Sequence, residues 1–110
     1  MYSQANNPKP MPAEDEYSER WADCEMSVAD LLALIPNGTL DQINEEIENV
    51  YLAWLHLKLG GEHESCVDDS IRALQEFTKF GVCSIRRKHL AMLVSTVLEQ
   101  MKLAMGMERF

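Results

Sequence analysis

TLDQINEEIENVYLAWLHLKL, residues 39–59, decides the fold. Its apolar residues Leu40, Ile43, Ile47, Val50, Trp54 and Leu57 recur at steps of three and four, the spacing that lines one face of an α-helix. A second set, Tyr51, Leu55 and Leu59, lies on an adjoining face. The C-terminal half therefore carries more apolar surface than one partner helix covers, and belongs at the centre of the core. Thr39 is placed to cap the helix while Gln42 reaches back as in a capping box, and Asp41, Glu45 and Glu46 suit the positive end of the helix dipole. Gly60-Gly61 marks its stop.

On the N-terminal side, Pro8, Pro10 and Pro12 exclude helix from residues 1–12 and favour an extended arm. From Ala13 to Cys24 a short amphipathic helix is expected, with Tyr17 and Trp21 on one face. Ser27 reads as the N-cap of a second short helix carrying Val28, Leu31, Leu32, Leu34 and Ile35, ended by Pro36-Asn37-Gly38. On the C-terminal side, Ser65 with Asp68 suggests another helix start, followed by the stripe Val67, Ile71, Leu74, Phe77 and Phe80 and a stop at Gly81-Val82. Ser84 is read as the cap of a last helix, whose Leu90, Met92, Leu93, Val94, Val97, Leu98, Met101, Leu103, Ala104 and Met105 form a wide apolar surface. The expectation is an all-α protein: a small antiparallel bundle of three main helices plus short N-terminal ones, with residues 13–110 as a single domain.

A chain of 110 residues supports one core. Its formal charge of -8 argues against direct nucleic-acid binding or attachment to an anionic membrane, both of which need clustered bases. No apolar run approaches the roughly 18 residues of a membrane span. Three cysteines, an odd number, and no leader-like opening point to a reducing, cytoplasmic setting. The charge is uneven: residues 1–85 hold 16 acids and 5 bases, residues 86–110 hold 2 acids and 5 bases. Arg86, Arg87 and Lys88 thus stand out as an anion-binding candidate at a helix start, where their charges oppose the dipole unless internal acids or an external phosphate compensate them.

Among His56, His63, Cys66, Cys83 and His89, His63-x-x-Cys66 is close enough to chelate but no second close pair completes a zinc site, and Cys66 and Cys83 are expected in the core, so no metal is assigned. Glu45, Glu46 and Glu48 together with Glu64, Asp68 and Asp69 give residues 45–69 a distant resemblance to the all-helical nucleotide pyrophosphohydrolases similar to MazG. In that family E-E-x-x-E and E-x-x-D motifs hold magnesium on adjacent helices. Asn49 stands where the third Glu belongs, and Glu64 is four rather than three residues from Asp68, so the resemblance stops short of the family. No G-x-S-x-G turn and no Gly-rich phosphate loop occurs.

These readings favour a non-enzymatic protein without a cofactor: an acidic helical binding module of the inhibitor, adaptor or decoy kind, which a phage or mobile-element origin would fit. It would occupy a partner's basic surface. Tyr17, Trp21, Leu55, Leu98, Met101 and Met105 are the candidate partner or oligomer interface, and a homodimer is expected from the apolar excess of the two longest helices. A binder of small phosphorylated ligands or nucleotides at Arg86-Arg87-Lys88 is the alternative, and a magnesium-dependent nucleotide pyrophosphohydrolase a remote third.

Overall fold

A computed structural model describes residues 14–58, 60 and 64–105. The described residues are all-α, with helices α1 (Glu14–Leu34), α2 (Leu40–Leu57), α3 (Glu64–Phe77) and α4 (Ser84–Ala104), and a 3-10 turn at Thr78–Phe80. The Pro-rich arm, Leu59, His63 and Met107 lie outside the described residues. Among the described residues no helix is long and apolar enough to cross a membrane.

Each helix contributes one buried row at steps of four and three. The rows are Cys24, Val28, Leu31 and Ile35; Ile43, Ile47, Val50, Trp54 and Leu57; Val67, Ile71 and Leu74; and Leu90, Val94, Val97 and Met101. Burial of these rows is the principal stabilising term, each large aliphatic side chain contributing about 1.5–3 kcal/mol. Side-chain contacts fix the directions. Cys24 meets Met101 and Tyr17 meets Met105, while Arg87 at the start of α4 reaches Ile35 just beyond α1, so α1 and α4 run oppositely. Ser70 with Gln100 and Phe77 with Arg86 reverse α4 against α3 in the same way.

The N-terminal region departs from the two short helices expected for it. Ser27 caps nothing; it lies within the single helix α1. Tyr17, Trp21, Cys24, Val28, Leu31 and Ile35 form one unbroken seam against the rest of the protein, and burial of that seam outweighs the about 1 kcal/mol preference of a serine for a cap position. Two other expected caps shift. Ser84 is the first residue of α4, following Cys83 at the N-cap without a side-chain cap bond, and Ser65 already lies inside α3. The capping box of α2 is present in full, with Thr39 Oγ1 accepting from Gln42 N–H at 3.1 Å and Gln42 Oε1 from Thr39 N–H at 2.9 Å.

The α3 stripe also changes at its end. After Leu74 it continues not through Phe80 but through Thr78, which is buried and donates its hydroxyl to Gln75 O at 3.1 Å. The tighter 3-10 turn rotates Phe80 outward, leaving it 78% exposed. Gly81 follows with φ 92° and ψ 179°, a conformation essentially restricted to glycine, and so lets the chain double back into α4. At the other reversal a Cβ on Gly38 would stand 2.7 Å from Leu34 Cγ and 2.8 Å from Leu34 O, so only glycine fits beneath the end of α1.

Cys66 and Cys83 are exposed, not in the core, because they fall beside rather than on the buried rows. Cys24 is buried, and burial pushes its thiol up to about 11, with the charge of Glu25 adding to the effect. Thiolate is the reactive form. Native protein at neutral pH should therefore take up two equivalents of iodoacetamide rapidly and the third only on unfolding, as counted by mass spectrometry. Rapid uptake of three would contradict the burial of Cys24. The same shift sets a pH window: above its ordinary 9.0 the unfolded chain loses this proton while the folded chain retains it up to about 11, so stability falls as pH rises between the two.

Candidate functional site

Arg86 and Arg87 sit four and three residues before Leu90, on the two flanks of the buried row of α4. Their side chains therefore fold back over the 81–83 connector instead of facing solvent. Arg87 donates from Nε to Val82 O at 2.7 Å and from Nη1 to Ile35 O at 2.6 Å and Gly38 O at 2.9 Å. Arg86 donates from Nη2 to Phe77 O at 2.7 Å and from Nε to Gly81 O at 3.2 Å. Its guanidinium carbon lies 3.9 Å from the Phe77 ring centroid and 5.6 Å from that of Phe80.

Carbonyls left over at the ends of α1 and α3 carry the negative end of each helix dipole. The compensation that a basic helix start requires is thus main-chain, and neither guanidinium meets a carboxylate among the described residues. Lys88 differs from its neighbours. It is exposed, forms no ion pair among the described residues, and borders a shallow groove of about 290 Å³ with Ile35, Pro36, Ser84, Arg87 and Ala91.

A larger open groove of about 540 Å³ lies between α3 and α4, lined by Ala73, Glu76, Phe77, Phe80, Arg86 and Leu93. Arg86 links the two features: it braces the connector and at the same time holds Phe77 and Phe80 as one wall. The sequence placed Phe80 in the core and gave no sign of this groove. The detectable signal was Gly81, since a glycine stop directly after an aromatic leaves that side chain at a frayed helix end.

The carboxylates do not converge. Glu46 accepts from Asn49, Asp69 pairs with Arg72 at 3.4 Å, and Glu64 is buried and accepts from Gly60 N–H at 2.8 Å. Asp68 accepts from Trp54 Nε1 at 2.8 Å and Lys58 Nζ at 3.1 Å. No group of three or more His, Cys, Asp or Glu is placed to hold a metal ion among the described residues. Each Asp or Glu named here does local structural work, and the pyrophosphohydrolase reading draws no support from the arrangement.

The residues read from sequence as an interface scatter. Met101 is fully buried, Leu98 is half-buried against the core, and Met105 accepts a hydrogen bond from the Tyr17 hydroxyl. Burial first, and the nearby Glu64 charge second, raise the Tyr17 hydroxyl above its ordinary value. Trp21 is likewise half-buried on the core, so five of these six side chains pack within their own chain. Leu55 alone stays on the surface, at 38% exposure. The outward apolar residues are others: Phe80 after α3, Ile85, Met92 and Leu103 on α4, with Met26 and Leu52 elsewhere. No protein-family model, no curated protein and no solved structure matches the chain.

Proposed function

We propose that the protein is a non-enzymatic binding module that acts by occupying a surface of a larger protein, with the α3–α4 groove as its contact. The observation that carries this reading is the exposed Phe80 beside Phe77, Leu93 and Arg86. Aromatic and arginine side chains at a concave, apolar surface are the combination that dominates binding hot spots. The formal charge of -8 suits a partner with basic residues around an apolar anchor. Immobilised protein should retain such a partner from a cell lysate in a salt-sensitive manner. Phe80→Ser, at an exposed position, should keep the helical circular dichroism and reduce that retention at least about tenfold, the scale of losing one anchor. Equal retention by Phe80→Ser would remove the groove from consideration.

A second reading rests on Lys88, whose charge borders the smaller groove beside Ser84 without an ion-pair partner among the described residues. A phosphorylated ligand fits that chemistry. Polyphosphate should then raise the melting temperature of the wild type and not that of Lys88→Ala.

A further inference from the structure

We infer that the outward face of α4 binds a second copy of this chain, α4 against α4 in antiparallel register about a two-fold axis. Ile85, His89, Met92, Thr96, Glu99 and Leu103 are all exposed and follow one another at steps of four, three, four, three and four. They form a single stripe, on the side of the helix away from Leu90, Val94, Val97 and Met101. Its three apolar members are exposed by 69% at Ile85, 67% at Met92 and 59% at Leu103. Steps of four and three are those of a helix-pairing seam, and here they sit outside the core, where no other described residue packs over them.

The order of the steps reads the same in both directions, so a reversed copy places every stripe residue opposite another. Ile85 then meets Leu103, Met92 meets Thr96, and His89 meets Glu99, each twice by symmetry. An imidazole N–H donating to a carboxylate closes the two polar layers. A parallel copy in register would instead set Glu99 against Glu99 and His89 against His89, so charge chooses the antiparallel arrangement. Lys88 and Lys102 run along one edge of the stripe, beside Glu99, and Lys102 is 4.0 Å from Glu99 of its own chain. A two-fold pairing of this kind is closed and stops at the dimer. The face is separate from the groove of the binding reading, and the dimer forms whatever that groove takes.

Sedimentation of the full chain from micromolar to millimolar concentration should show the mass rising from 12.6 kDa to twice that value. Met92→Glu should raise the dissociation constant at least about tenfold with helical content unchanged, while Phe80→Ser should leave it unchanged. The register is tested in a Cys66→Ser, Cys83→Ser background carrying Ile85→Cys and Leu103→Cys. Those two positions are about 27 Å apart along one helix, so they cannot join within a chain. Oxidation should yield a covalent dimer joined from position 85 of one copy to position 103 of the other, as located by peptide mapping, whereas links of 85 to 85 or 103 to 103 would mark a parallel pairing and overturn the inference. A mass of one chain at every concentration overturns the inference, as does a dimer indifferent to Met92→Glu, one dispersed by Phe80→Ser, or one that the two cysteines fail to link.

Discussion

Replacing Arg87 with alanine should lower the unfolding free energy by about 2–3 kcal/mol, the range expected when charge-assisted hydrogen bonds to part-buried carbonyls are removed. One guanidinium joins Val82 O, just before α4, to Ile35 O and Gly38 O beyond the end of α1. Gly38 O belongs to a residue with no space for a side chain, and Ile35 is buried, so neither carbonyl is readily re-solvated once the arginine is gone. The urea midpoint should fall with the slope unchanged. Arg87→Lys should recover less than half of the loss, because a single ammonium cannot address three carbonyls as a planar fork does. If the arginine served chiefly to hold an external anion, the alanine variant would instead be as stable as the wild type or more so, since a positive charge near the start of α4 would have been removed.

Trp54→Ala should be still more damaging, at about 3–5 kcal/mol. Trp54 is fully buried in the C-terminal half of the α2 row, and its indole Nε1 donates to Asp68 Oδ1 at 2.8 Å, linking α2 to the first turns of α3. Lys58 holds the other carboxylate oxygen at 3.1 Å, so alanine both opens a cavity and leaves Asp68 with one partner. Trp54→Phe separates the two effects. It retains most of the volume and deletes the donor, and should cost about 1–2 kcal/mol by denaturant unfolding. If phenylalanine proved as destabilising as alanine, the hydrogen bond to Asp68 rather than packing would be the main contribution of this residue.

The helical class, the α2 row and the capping box at Thr39 were legible because they depend on periodicity and local side-chain chemistry, which a single segment carries. The seam of α1 was equally present in the spacing of Tyr17, Trp21, Cys24, Val28, Leu31 and Ile35, but Ser27 offered a competing local signal, and only packing shows which one prevails. Cys66 and Cys83 illustrate the limit of composition: a tendency of cysteine to be buried says nothing about which side of a helix it occupies.

The basic cluster divides in the same manner. Sequence alone established that three positive charges at a helix start need compensation, and the positions of Arg86 and Arg87 just before Leu90 already place them on the buried flanks. It did not supply the compensating groups. Those are carbonyls at the ends of α1 and α3, and Ile35 O and Gly38 O lie about fifty residues from Arg87 along the chain. Main-chain carbonyls are present at every residue, so no residue type advertises which of them a helix end will leave without a partner. Only the tertiary structure, by bringing two helix C-termini against the start of α4, makes particular carbonyls available to the arginines and turns Phe80 outward into the groove.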